Sequence, residues 1–226
     1  MSNGKFDFNK PIEIKKKTRI IAIGDIHGDY DILIEILKLA KVVDSKLRWI
    51  GGKTIVIQMG DLIDGKRPDI VINNQYITKP MEIKLVNFIQ TLNKKAQKDG
   101  GAVVSILGNH ELYSYYYYND SSFERDYVKK VDIKDYKKKF KVKRKDYYFP
   151  GTGAGAKLFA KTRPMIIQIG QVLFSHGTIS LNFLKNYTHN LTKKVDIKKI
   201  NTEVSSWLNG TGPKPLFIDA SEEGNP

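Results

Sequence analysis

The chain contains no cysteine, which excludes disulfide frameworks, thiolate zinc sites and cysteine nucleophiles at once. A cysteine-free composition fits a reducing compartment. No apolar run approaches the roughly 20 residues that span a bilayer. Nor does an apolar stretch follow the lysines of residues 1–17, as a secretory signal would require. The expectation is a soluble, cytoplasmic protein with no membrane partner. Acidic residues are the minority, 24 against 38 Lys and Arg, for a formal charge of +14. The excess is local, because ten basic residues stand between Lys129 and Lys145 against only Asp132 and Asp135. Basicity confined to one tract weakens a whole-protein nucleic-acid reading, but leaves contact of that tract with nucleic acid or an acidic partner open.

What is present suits one α/β domain. Of the 226 residues, 41% are hydrophobic and 27% charged, enough to bury a core without crosslinks. Residues 1–17 read as a polar leader and 18–226 as the domain. Apolar runs of strand length at Thr18–Ile23, Thr54–Met59 and Ala102–Leu107 alternate with helical periodicity. The first helix is expected over Asp31–Val43, with Ile32, Leu33, Ile36, Leu37, Leu39 and Ala40 apolar. The second is expected over Pro80–Lys98, facing the core with Ile83, Val86, Phe88, Ile89 and Leu92. Met165–Ile169 and Val172–Ser175 flank Gly170-Gln171, a two-residue hairpin turn. Residues 112–150, rich in Tyr and Lys and without a clean period, predict an insertion or cap carrying at most a short helix near Ser122–Tyr136. Gly151-Thr-Gly-Ala-Gly-Ala-Lys157 fails the spacing of a nucleotide loop and reads as a substrate-side loop.

Four strand ends carry the chemistry: Gly24-Asp25-Ile26-His27-Gly28, Gly60-Asp61-Leu62-Ile63-Asp64, Gly108-Asn109-His110-Glu111 and Ser175-His176-Gly177. In open α/β sheets, functional side chains converge at the carboxyl ends of strands. Carboxylate and amide oxygens with imidazole nitrogens suit a pair of divalent ions such as Mn, Fe or Zn. Any one Gly-Asp turn is ordinary, but three of the four histidines fall inside these motifs.

This order of motifs resembles the calcineurin-like metallophosphoesterases, within them the phosphoprotein phosphatase superfamily. Trp49-Ile-Gly-Gly52, Phe159-Ala-Lys-Thr-Arg-Pro164 and Glu203-Val-Ser-Ser-Trp-Leu-Asn-Gly210 sharpen the resemblance to its Shewanella-like branch. The resemblance implies a β-sandwich flanked by helices, with an inserted cap. It implies two divalent metals, the first held by Asp25 and His27, the second by Asn109 and His176, with Asp61 bridging. His110 would be the general acid, oriented by Asp64. The implied reaction is hydrolysis of phosphate monoesters, on phosphorylated protein or peptide, by direct attack of a metal-bridging hydroxide on phosphorus.

Three departures bear on this reading. Relatives place Arg directly after GDxxD to grip phosphate; here Gly65 stands there, and Lys66 and Arg67 are the candidate substitutes. The Arg that precedes GNHE in eukaryotic protein phosphatases is Leu107. The family also supplies a further histidine ligand from a downstream Gly-His motif. His189, in Tyr187-Thr-His-Asn190, lacks the glycine and comes too early, so a C-terminal truncation is expected. Two alternatives follow: a nucleotide or dinucleoside polyphosphate hydrolase, and a catalytically deficient metal- or phosphate-binding module.

Overall fold

The computed structural model describes residues 6–14, 17–65, 71–72, 75–76, 81–128, 130–188 and 194–218. The chain runs β1 (Ile20–Ile23), α1 (Tyr30–Leu39), β2 (Ile55–Gln58), a short pair β3 (Val71–Ile72) and β4 (Gln75–Tyr76), α2 (Glu82–Lys98) and β5 (Ala102–Ser105). Four short helices follow: α3 (Tyr113–Tyr116), α4 (Phe123–Tyr127), α5 (Lys130–Phe140) and α6 (Arg144–Tyr147). Then come α7 (Ala154–Thr162), β6 (Ile166–Ile169), β7 (Val172–Ser175), α8 (Leu181–Tyr187) and α9 (Ile197–Asn209).

Strands β1, β2 and β5 form a parallel sheet with β2 at its centre. Side chains alternate across a strand, so this sheet has two dissimilar faces. Val56 and Val103 point into the larger core, among Leu33, Leu37, Leu85, Ile89, Leu92, Phe159, Val204 and Leu208 of α1, α2, α7 and α9. Ile55, Ile57, Ala102 and Val104 point the other way, onto Ile167 and Ile169 of the antiparallel hairpin β6–β7. The expected α/β layering, helices on a sheet and a second sheet behind it, is the architecture found. No helix among the described residues is long and apolar enough to cross a membrane.

Several expectations change. Residues 1–17, read as a polar leader, contribute Phe8 and Ile12 to the core behind the hairpin. Ile12 bridges to Ile169, its N–H donating to the Gln168 carbonyl at 2.9 Å and its carbonyl accepting from Gly170 at 2.9 Å. Helix α1 begins at an Asp29 cap, whose carboxylate accepts from Ile32 N–H at 3.0 Å. That start buries Tyr30 and Ile34 beside Leu33 and Leu37, and leaves Ile32 and Leu39 exposed. Residues 151–157 are not a substrate-side loop. Gly153 caps α7, and Gly155 lies where a Cβ would strike the Tyr147 and Tyr148 rings. The glycines there serve close packing.

The 112–150 insertion is more ordered than its composition suggests. Tyr113, Tyr117, Phe123 and Tyr127 form one aromatic cluster, with Tyr117 and Phe123 stacked at 5.3 Å. Lys134, Lys137, Lys138 and Lys139 are exposed on α5, the solvated face expected of such a tract. Asp132, Tyr136 and Arg144 of the same tract are buried.

Asp132 is buried with one carboxylate oxygen on the Glu82 N–H at 3.2 Å and no partner for the other among the described residues. Burial, then the negative field of Glu82, pushes its carboxyl up to about 8. The folded chain therefore keeps a proton that the unfolded chain releases near pH 4. The stability this lends is complete below that pH and is lost as pH rises through about 8. Asp132→Asn, neutral throughout, should exceed the parent in stability by about 1 kcal/mol or more at pH 9. Urea midpoints should show the gap growing between pH 5 and 9.

Candidate active site

The three parallel strands deliver their loops to one sheet edge, and β7 brings a fourth. Asp61 follows the central strand, so its carboxylate sits between the others. Asp61 Oδ2 lies 3.7 Å from His27 Nε2, 3.9 Å from His110 Nε2 and 3.4 Å from His176 Nε2. Asp25 Oδ2 is 3.7 Å from His27 Nε2, and Asp25 Oδ1 is 3.9 Å from His176 Nδ1. Two triads of donor atoms result, His27–Asp61–His110 and Asp25–Asp61–His176, each with its atoms within 4.8 Å of one another. Asp61 belongs to both. The structure thus gathers Asp25, His27, Asp61, Asn109, His110, Asp64 and His176; Lys66, Arg67 and His189 lie outside the described residues.

Each imidazole is held by its Nδ1 and presents its Nε2 to Asp61. His27 Nδ1 donates to the Asp64 carbonyl at 3.2 Å, and His176 Nδ1 to the Met59 carbonyl at 2.8 Å. His110 Nδ1 instead meets the Asp64 carboxylate, Oδ2, at 3.0 Å. Anchoring one ring nitrogen to a carbonyl and aiming the other at a shared acid is how metal-binding histidines are ordinarily held. The donor set therefore fits divalent ions. Asn109 stands beside them: its side-chain amide is 2.9 Å from His176 Nε2 and faces Asp61, where its oxygen suits a cation and its nitrogen suits the Asp61 carboxylate.

The electrostatics point the same way. A hydrogen bond to Asp61, assisted by the Asp61 and Asp25 charges, pushes His176 up to about 9 against the opposing effect of burial. Burial would raise Asp61 too, but the His176 contact and the His110 N–H outweigh it and hold the carboxyl below its usual value. The cluster attracts positive charge.

The backbone pays locally for this convergence. His27, Asp61 and Asp64 all adopt positive φ, at 47°, 52° and 64°, a region costly for residues with a Cβ and frequent at functional sites. Gly60 and Gly108 permit the closest approach. A Cβ on Gly60 would meet His176 Nδ1 at 2.7 Å, and one on Gly108 would collide with the Asp61 carboxylate.

Motif reading assigned no role to Glu111, the last residue of GNHE. It is buried and accepts from the N–H groups of Asp61 at 2.9 Å, Leu62 at 2.9 Å and Gly108 at 2.7 Å. Arg163 Nη1 meets it at 3.1 Å. Tyr113 was also missed: its ring packs on His110 at 4.2 Å and its hydroxyl lies 2.7 Å from the Asn109 amide. Glu82 and Arg144, both wholly buried, close the rear of the site against Asp64. Burial, and then the Asp64 charge, act against Arg144 to leave the Glu82 carboxyl above its usual value.

Known proteins resemble this chain in sequence and fold. Residues 18–223 match the calcineurin-like phosphoesterase family model. Shewanella-like protein phosphatase 2 of Arabidopsis thaliana is 26% identical over 87% of this chain and 53% of its own length. Shewanella-like protein phosphatase 1 of Plasmodium berghei is 30% identical over 94% of this chain and 51% of its own. The chain spans about half the length of these curated relatives. A solved cold-active protein tyrosine phosphatase superposes with a TM-score of 0.63 at 20% identity, covering 95% of this chain and 54% of that one. At that identity the likeness is one of fold.

Proposed function

We propose, for a chain that belongs to the calcineurin-like phosphoesterase family, that it hydrolyses phosphate monoesters on phosphorylated protein or peptide with the side chains gathered around Asp61. The observation that carries this reading is the central carboxylate: Asp61 Oδ2 lies 3.7 Å from His27 Nε2 and 3.4 Å from His176 Nε2, with Asp25 Oδ2 3.7 Å from His27 Nε2 on one side. Asp25 and His27 would hold one divalent ion and Asn109 and His176 the other, with Asp61 available to both; Mn, Fe and Zn suit these donors. Bound there, such ions polarise the phosphoryl oxygens and provide a nucleophile at neutral pH. The protein names of the curated relatives support the substrate class. A cytoplasmic setting belongs to the same reading and rests on the cysteine-free composition.

The rest of the chemistry falls to the chain. His110 points Nε2 into the cluster while Asp64 retains the proton on Nδ1. In that tautomer only a doubly protonated ring can donate from Nε2. His110 gives that proton to the departing oxygen as the P–O bond breaks, and the leaving group exits as a neutral alcohol. Tyr113 and Tyr127 flank the ring and limit its rotation. Lys66 and Arg67, close after Asp64 in sequence, are the proposed phosphate contacts.

The test is to strip the chain with chelator, restore Mn²⁺ and follow hydrolysis of a phosphoserine peptide, whose alkoxide leaving group needs the proton. His110→Asn should lower turnover by about 10²–10⁴-fold with bound metal, counted by elemental analysis, unchanged. Full turnover in that variant would remove His110 from the mechanism. A dinucleoside polyphosphate cleaved faster than a phosphopeptide would move the substrate class.

A further inference from the structure

Among the side chains that the lysine-rich insertion sends into the interior, one ends on the proton-donor pair. Arg144, at the start of α6, is 0% exposed. Its Nε donates to Glu82 Oε2 at 2.8 Å and its Nη2 to Glu82 Oε1 at 3.0 Å. The same Nη2 is paired with Asp64 Oδ1. Glu82 Oε1 also accepts the Asp64 backbone N–H at 2.8 Å. The Tyr136 and Tyr148 rings stand 5.8 and 5.3 Å from the guanidinium carbon, their hydroxyls joined at 2.5 Å. Asp64 is thus held from three directions, by guanidinium on one oxygen, by His110 on the other and by Glu82 at its backbone.

A latch that merely fastened the insertion to the domain would need only Glu82, which already takes two of the Arg144 nitrogens. The contact with Asp64 does something more. A carboxylate with one partner swivels about its Cβ–Cγ bond, whereas one pinned at both oxygens has a fixed plane. The rigid, planar guanidinium sets that plane where a flexible ammonium would not. The plane of Asp64 in turn sets the direction of Oδ2, and so the ring orientation of His110 and the aim of its Nε2. We propose that Arg144 is a positioning residue for the proton donor, so that the 112–150 insertion is part of the catalytic apparatus and not only a cover. This rests on the reading of His110 as the group that protonates the leaving oxygen.

The test exploits the differing need for that proton. p-Nitrophenolate leaves readily without it, while a serine alkoxide does not. Arg144→Gln, Arg144→Lys and His110→Asn would be compared with the parent on p-nitrophenyl phosphate and on a phosphoserine peptide, all in the full chain with Mn²⁺ restored. Arg144→Gln should lower kcat on the peptide about 10–100-fold, with a much smaller loss on the aryl ester and little change in KM. Arg144→Lys should show the same selectivity more weakly. In the metal-free protein, the Nδ1 resonance of His110 should shift or broaden in Arg144→Gln while those of His27 and His176 hold.

Equal losses on the two substrates in a folded Arg144 variant, or an unmoved His110 resonance, would overturn the proposal and leave Arg144 a structural ion pair. Should Arg144→Gln fail to fold, Arg144→Lys decides, since it keeps the buried cation: selective loss supports the proposal and parallel loss overturns it. His110→Asn separates the two levels. If that variant shows no selectivity between the substrates, the proton-donor reading falls and takes this proposal with it. If it is selective and the Arg144 variants are not, only the positioning role is lost.

Discussion

Asp61→Asn should lower turnover by on the order of 10³-fold or more, ~4 kcal/mol of barrier, and should release metal. The substitution keeps the shape of the side chain and the acceptor for the His110 N–H, which Asp61 Oδ1 meets at 3.0 Å. It removes the negative charge that three imidazoles face. Elemental analysis after Mn²⁺ loading checks the metal loss directly. A titration of the metal-free protein adds an independent readout. The Asp61 contact is the largest influence holding His176 at about 9, so the variant should bring His176 down towards its ordinary value of roughly 6.5. Parent-like turnover with full metal content would remove Asp61 from the centre of the site.

Glu111→Ala should be the most destabilising single change in the domain. It strands three buried N–H groups, those of Asp61, Leu62 and Gly108, together with the Arg163 guanidinium. Breaking a buried ion pair costs about 3–5 kcal/mol, and each orphaned donor about 1–3 kcal/mol more. Domains of this size are stable by only about 5–15 kcal/mol, so the alanine chain should fail to accumulate as folded protein. Glu111→Gln retains the shape and one carbonyl acceptor but turns an NH₂ toward groups that are themselves donors. An intermediate urea midpoint is expected for it. A Glu111→Ala chain with the parent midpoint would show that the loops hold without their brace.

The extent to which the site could be read from the sequence follows the range of the interactions. Apolar runs of strand length and the glycine-flanked turns after them are local patterns, and β1, β2, β5 and the β6–β7 hairpin lie where those patterns put them. The ligand candidates were legible because each sits in such a turn. Errors arose where a neighbour distant in sequence decides. The buried face of α1 is set by the Asp29 cap and by helix packing, and an apolar count along the segment cannot rank Ile34 above Leu39. Phe8 and Ile12 look like isolated residues in a polar leader until β6–β7 supplies a partner strand. Glu82, Asp132 and Arg144 were unreadable for the same reason: Arg144 lies 62 residues from Glu82 and 80 from Asp64. A lysine run gives no sign that one arginine within it turns inward. Glu111 stood in view within GNHE, yet its three bonds return to residues whose positions depend on β2 and β5 lying side by side.

The left-handed backbone at His27, Asp61 and Asp64 governs how a mutational survey of this site will read. Only a few side chains enter that region cheaply; glycine, asparagine and aspartate are tolerated, and β-branched residues are nearly barred. At Asp61 and Asp64, where φ is 52° and 64°, valine, isoleucine or threonine would therefore score as inactive whatever the chemistry required. Asparagine leaves the turn intact, so the fraction of activity it loses measures the carboxylate itself. A saturation library should accordingly be calibrated against asparagine and glycine. The short routes of sequence drift at these positions then lead to asparagine and glycine first, variants that keep the architecture while losing a charge.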